Sequence, residues 1–187
     1  MRIISGQFKG RKILEPNDKN TRPLKDLTKE SIFNIIQHSN KLSFNLEKSN
    51  VLDLFSGVGS FGLEALSRKA NFVTFVENYI NVIKILKKNI KNLKLNKKCK
   101  IIEKDIFGDL NFLKLDQKYD LIFIDPPFKE SQIKSLIIKI YNSKILKSDG
   151  VIIMHRNSKK TDIFPSELKI LEKKIYGVSQ IFFCNFL

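Results

Sequence analysis

A chain of 187 residues, 42% hydrophobic and 28% charged, suits one soluble globular domain with a substantial core and excludes a disordered segment. Its net charge of +15 points to a polyanionic partner, most often nucleic acid, although richness in Lys, Asn and Ile together marks part of the lysine as compositional. No apolar run approaches the roughly 18 residues that span a bilayer, no signal peptide opens the sequence, and Cys99 and Cys184 stand far apart. The expectation is a cytoplasmic monomer with no membrane contact, no disulfide and no metal.

Residues 2–14 alternate apolar and polar side chains around Gly6 and Gly10 and predict a small hairpin, made basic by Lys9, Arg11 and Lys12. Residues 15–23 are polar, carry Pro16 and Pro23, and read as a loop ending in Thr21-Arg22-Pro23. From 24 to 38, Leu27, Ile32, Phe33, Ile35 and Ile36 predict an amphipathic helix, and residues 39–50 read as a link.

Strand-like and helix-like pieces then alternate. Strands are predicted at 51–55, 72–76, 100–102, 121–124, 151–154, 168–174 and 179–184. Helices are predicted at 60–67, 80–95, 107–113, 131–143 and, weakly, 161–165. This alternation is the mark of a doubly wound α/β fold. Only Ile175-Tyr176-Gly177 joins the last two strands, so the mostly parallel sheet should end in an antiparallel strand. In the 80–95 helix, Ile83, Leu86, Ile90 and Leu93 form a buried stripe, and Lys84, Lys87, Lys88, Lys91 and Lys94 read as a solvated face.

The chemistry gathers at strand ends. After the first strand comes Asp53-Leu54-Phe55-Ser56-Gly57-Val58-Gly59-Ser60-Phe61-Gly62, a G-x-G-x-x-G pattern that NAD, FAD and S-adenosylmethionine proteins all use. Asp53, inside the strand end, suits a ligand's ammonium group better than a pyrophosphate. Glu77 ends the second strand about 20 residues beyond Gly57, where an acid commonly accepts ribose hydroxyls. Asp105, with Ile106 beside it, follows the third strand and is placed for an adenine amino group. Asp125-Pro126-Pro127-Phe128 follows the fourth. Two prolines stop the ladder, leaving a stiff loop with a carboxylate before it and an exposed aromatic after it. A carboxylate and a backbone carbonyl together can grip both hydrogens of a planar amine, and Phe128 would stack on the ring that bears it. Asp-Pro-Pro alone is more often a plain strand-ending turn. Four acids on successive strand ends give it another meaning.

The order D-x-F-x-G-x-G, acidic second strand end, K-D-I and D-P-P-F resembles the S-adenosylmethionine-dependent amino methyltransferases of the Rossmann-like class I fold. Residues 2–12, Thr21-Arg22-Pro23, Ile32-Phe33-Asn34-Ile35 and Gly62-Leu63-Glu64-Ala65-Leu66-Ser67-Arg68 are similar to the RsmD family, over essentially the whole chain. The resemblance implies methyl transfer to N2 of a guanine in 16S rRNA, at the site conventionally numbered 966, in assembling or assembled 30S subunits. It implies that Asp125, Pro126, Pro127 and Phe128 are catalytic. It also implies that Asp53, Phe55, Ser56, Gly57, Gly59, Glu77, Asn78, Asp105 and Ile106 hold S-adenosylmethionine. Residues 1–48 become an RNA-contacting extension, with Lys9, Arg11 and Arg22 on phosphates, and 49–187 the catalytic domain. The sequence departs from the family at 26–30, where Leu27 and Lys29 replace arginines, and at Lys129-Glu130, which replaces a more basic pair. The rival readings are a DNA adenine-N6 methyltransferase, which would need a larger recognition region, a catalytically silent nucleic-acid-binding module, and a nicotinamide dehydrogenase.

Overall fold

The structure, a computed structural model, describes residues 1–16 and 24–187. Arg22, with Thr21 and Pro23, lies outside the described residues. The described strands are β1 (Asn50–Leu54), β2 (Phe72–Glu77), β3 (Cys99–Glu103), β4 (Tyr119–Ile124), β5 (Leu146–Asn157), β6 (Leu168–Tyr176) and β7 (Ser179–Phe186). They form one sheet in the order β3-β2-β1-β4-β5-β7-β6. Strands β1 to β5 pair in parallel, and β7 runs antiparallel between β5 and β6. The fold is the expected one, with an antiparallel last strand. Chain direction across the sheet reverses between β1 and β4, and that switch point opens a crevice at the strands' carboxyl ends.

The two-residue period of a strand sorts its side chains into two cores. Val51, Leu121, Phe123, Val151, Ile153, Ile181 and Phe183 face one layer. It is built from α1 (Asp26–His38), α2 (Ser60–Ser67), α3 (Ile80–Asn92) and the N-terminal segment. Leu52, Leu54, Ile122, Ile124, Ile152, Met154, Phe182 and Cys184 face the other layer, with α4 (Ile133–Ser143). Burial on both faces is why these strands read as continuous apolar runs. Among the described residues, no helix is long and apolar enough to cross a membrane.

Several boundaries differ from the expectation for local reasons. Residues 107–113 form turns followed by a single 3-10 turn at Phe112–Lys114, because the Asp105 carboxylate captures the N–H groups of Phe107 and Gly108 before a helix can start. Helix α3 stops at Asn92: Lys94 adopts φ 57° and the Leu95 N–H turns back to the Ile90 carbonyl. Residues 161–165 contain no helix. The N-terminal hairpin is reduced to one bridge, Arg2 to Lys12.

That N-terminal segment is stitched to the sheet's helices. Glu64, fully buried in α2, accepts the N–H groups of Ile4 (2.7 Å) and Ser5 (3.0 Å) and pairs with Arg68. Asn89 in α3 both donates to and accepts from the backbone of Leu14. Gly6, at φ +82°, lies so close to α2 that a Cβ there would come within 2.0 Å of the Ser67 carbonyl oxygen. Ile3, Ile13, Ile32 and Phe33 share the core of the sheet's first face.

Candidate active site

A cavity of about 580 Å³ opens at the carboxyl ends of β1, β2, β4 and β5. Its wall includes Asp53, Phe55, Ser56, Gly57, Glu77, Asn78, Asp125, Pro126, Pro127 and Phe128. Met1, Pro16 and Leu24 of the N-terminal segment and His155 complete one side. The volume falls within the range of small-molecule sites, roughly 300–1,000 Å³.

The β1–β2 side is shaped by backbone. Phe55 leaves β1 at φ 59°, a left-handed conformation costing about 1–2 kcal/mol for a non-glycine residue, of the kind held at functional sites. Beyond it, Gly57 has nothing within 4 Å of a notional Cβ, whereas at Gly62 a Cβ would meet the Phe75 ring at 2.3 Å. The first glycine keeps the loop open and the other lets α2 lie against β2. Glu77 draws the loop in. Its Oε2 accepts the Gly57 N–H at 2.9 Å, and its Oε1 accepts those of Asn78 and Tyr79 at 2.9 and 3.0 Å. A carboxylate has about four lone-pair sites, so it retains capacity for a ligand hydroxyl. The Ser56 hydroxyl is buried here with no partner among the described residues.

Asp105 and Ile106 are not on the cavity wall. The Asp105 carboxylate is occupied by the N–H groups of Phe107 (2.7 Å) and Gly108 (3.0 Å) and by the Asn78 amide (2.9 Å), so it bears on the cavity through Asn78. Those backbone donors hold its carboxyl below the ordinary carboxylate range. Ile106 is buried beneath the sheet's second face with Leu52 and Val76. Gly59, also off the wall, starts α2 at φ 85° and packs toward Leu86.

Asp53 lies on the cavity floor, 1% exposed, accepting the Gly62 N–H at 2.9 Å. Burial pushes its carboxyl well above the ordinary range. The Gly62 bond opposes the shift, and nearby Asp125 and Glu77 add to it. Three acids around one cavity produce a field that a cationic ligand relieves.

On the β4 side, Asp125 continues the pleat of Leu121 and Phe123, and His155 that of Val151 and Ile153, so both reach the same face of neighbouring strands. His155 Nδ1 lies 2.8 Å from Asp125 Oδ1, and its Nε2 lies 2.8 Å from the Ser179 hydroxyl on β7. Among the described residues, no hydrogen bond reaches Asp125 Oδ2. Pro126 is buried and Pro127 exposed. Phe128, expected to be exposed, is half-buried, edge-on to the His155 ring with centroids 5.4 Å apart. On the other face of β5, the buried Arg156 donates to the Glu130 carbonyl at 2.7 Å and forms a two-bond pair with Asp162 at 2.8 and 2.9 Å. Sequence reasoning missed His155, Arg156 and Ser179. The available signal was a polar His-Arg pair extending an apolar strand at the sheet edge where ligands bind.

Lys9 and Arg11 are exposed on the N-terminal segment. Lys29 is not a surface residue. Its ammonium is fully buried, donating to the Arg2 carbonyl (2.8 Å) and the Ser60 hydroxyl (3.1 Å), with Asp26 at 3.6 Å. Burial lowers its pKa, against the pull of Glu64 and Asp26. The departure at this position therefore concerns how the N-terminal segment joins α2.

A family model described as Conserved hypothetical protein 95 matches residues 1–185. Ribosomal RNA small subunit methyltransferase D of Buchnera aphidicola (subspecies Acyrthosiphon pisum) is 36% identical over 182 residues, covering 96% of this chain and 90% of its own length. The solved structure of Escherichia coli yhhF superposes with a TM-score of 0.81 at 25% identity, covering 98% of this chain and 96% of that one. A Salinibacter ruber RNA methyltransferase solved with S-adenosyl-L-homocysteine shares the fold at 11% identity, with a TM-score of 0.64 over 87% of this chain and 92% of that one.

Proposed function

The chain belongs to the RsmD family, and from that premise we propose that it is an S-adenosylmethionine-dependent methyltransferase of small-subunit ribosomal RNA. The finer reading is methylation of the exocyclic N2 of a guanine in 16S rRNA, at the site conventionally numbered 966. The enzyme acts as a cytoplasmic monomer on assembling or assembled 30S subunits. Residues 1–48 contact RNA, and residues 49–187 bind the cofactor and catalyse.

The carrying observation is Asp125. It opens a proline-stiffened loop on the cavity wall, with Oδ1 engaged by His155 and Oδ2 receiving no hydrogen bond among the described residues. The cavity fits the cofactor chemically. Glu77 suits ribose hydroxyls, the Ser56 hydroxyl, without a partner among the described residues, and the open Gly57 loop suit a polar ligand, and Asp53 suits an ammonium group. Bound there, S-adenosylmethionine supplies an electrophilic methyl group on a sulfonium.

The chain's part is positioning. Asp125 Oδ2 and the Pro126 carbonyl accept the two hydrogens of the guanine amine and aim its lone pair into the cavity. Phe128 contacts the ring of the base swung out of its stack. The surplus proton leaves through Asp125 Oδ2. Holding reactants in line is worth several orders of magnitude in rate and needs no perturbed base. Lys9, Arg11 and Arg22 hold phosphates, which orients the RNA without reading its sequence.

The test is methyl transfer from labelled S-adenosylmethionine into 16S rRNA, naked and in partly assembled 30S particles, with Asp125→Ala beside the native chain. N2-methylguanosine that disappears in the variant is the expected result. Label in adenine or in another nucleic acid would discard the finer reading.

A further inference from the structure

We propose that His155 is a positioning residue for the amine-holding carboxylate, and that His155 and Arg156 together fix residues 125–130 from strand β5. The inference rests on the reading of Asp125 as the amine acceptor. An aspartate at a strand end is ordinarily steadied by the N–H groups that follow it, as Asp105 is by Phe107 and Gly108. Asp125 lacks the two nearest donors, because residues 126 and 127 are prolines, and among the described residues its carboxylate is bonded by His155 instead. The terminal torsion of an aspartate is broad, so an untethered carboxylate would present either oxygen at a range of angles.

His155 supplies the missing donor from another strand. With a proton on Nδ1 it donates to Asp125 Oδ1 at 2.8 Å, while Nε2 accepts from the Ser179 hydroxyl, also at 2.8 Å. The imidazole is 6% exposed and Phe128 meets its ring edge-on, which limits its rotation. One oxygen is thereby occupied and the other is left for the substrate amine. Arg156, the next residue on β5, points to the opposite face and anchors the Glu130 carbonyl while Asp162 neutralises it. The loop is held at both ends by one strand.

Steady-state kinetics, cofactor binding by calorimetry and ring-nitrogen NMR on the full chain test this. His155→Leu should lower kcat about 10²-fold, with the KM for rRNA and the Kd for S-adenosylmethionine within about twofold of the native chain. His155→Asn, whose amide can take the place of Nδ1–H, should recover at least about tenfold of that loss. Ser179→Ala should show a smaller fall of the same kind. In the native chain, NMR should show Nδ1 protonated and Nε2 bare, with the Nδ1 signal moved by Asp125→Asn. An unchanged kcat in His155→Leu, equal activity of the Asn and Leu variants, or an Nδ1 signal indifferent to Asp125→Asn would overturn the proposal. A native chain that methylates no rRNA would instead sink the functional reading, and the NMR arm would still decide whether His155 holds Asp125.

Discussion

Asp105 and Asp125 both follow a parallel strand, yet they are held in opposite ways. Asp105 closes on its own next residues, accepting the N–H groups of Phe107 and Gly108 within a tight turn. Asp125 is followed by prolines and is held by His155, 30 residues away, which leans on Ser179 a further 24 away. Locally satisfied, a carboxylate shapes a loop. Deprived of the two nearest N–H donors, Asp125 is held from the sheet by one oxygen, and its Oδ2 receives no hydrogen bond among the described residues. The contrast extends across the cavity, since Glu77 accepts only backbone N–H groups, two of them from the residues that follow it and one from Gly57, whereas Arg156 reaches Glu130 and Asp162.

The sharpest way to break this comparison is Arg156→Met. Stranding the Asp162 carboxylate, whose side chain is 10% exposed, should cost about 3–5 kcal/mol in a urea melt. A loss below about 1 kcal/mol would mean the long-range anchor is dispensable. Glu77→Gln probes the local side. Its amide offers one acceptor where three backbone N–H groups converge, so a cost of about 1–2 kcal/mol is expected, with weaker S-adenosylmethionine binding by calorimetry.

Asp53→Asn should act in the opposite direction. The folded chain raises this carboxyl above its unfolded value, so its contribution is fully present below the ordinary aspartate value, about 4, and is lost as pH rises through the folded value. Asparagine keeps an acceptor for the Gly62 N–H and has no charge to bury. Its melting temperature should exceed the native chain's by a margin that is larger at pH 7 than at pH 4, while cofactor affinity falls. A constant margin would contradict the assigned cause.

Asp105→Asn should be the mildest, within about 0.5 kcal/mol at neutral pH, because the side chain is solvated and asparagine can make the same turn. Its folded carboxyl is depressed, so the native chain's small advantage exists above the unfolded value and fades on acidification. Melts of the two chains at pH 7 and pH 3 measure it.

What the sequence made legible divides along the same line. The central strands announce themselves as short apolar runs buried on both faces, and the main helices by the period of their buried stripe. The glycine loop and the acids at the carboxyl ends of β1, β2, β3 and β4 stand in short runs that can be read in the sequence. The false helix at 107–113 came from counting apolar residues without noticing that Asp105 could take the N–H groups it needed. His155, Arg156 and buried Lys29 left no such trace. Their partners lie on other elements, and a cation in sequence looks the same whether it faces water or Ser60.

Strand β7 is wedged between β5 and β6 although it follows both in the chain. A ribosome therefore releases β5 with one edge paired to β4 and the other bare until residues 179–186 arrive. Ser179 comes with that wedge, and only then is His155 braced from behind. The cofactor side of the crevice can take shape during synthesis, while the loop that would hold the substrate waits for the final hairpin. An emerging chain surrounded by ribosomal RNA is thus the least able to act upon it.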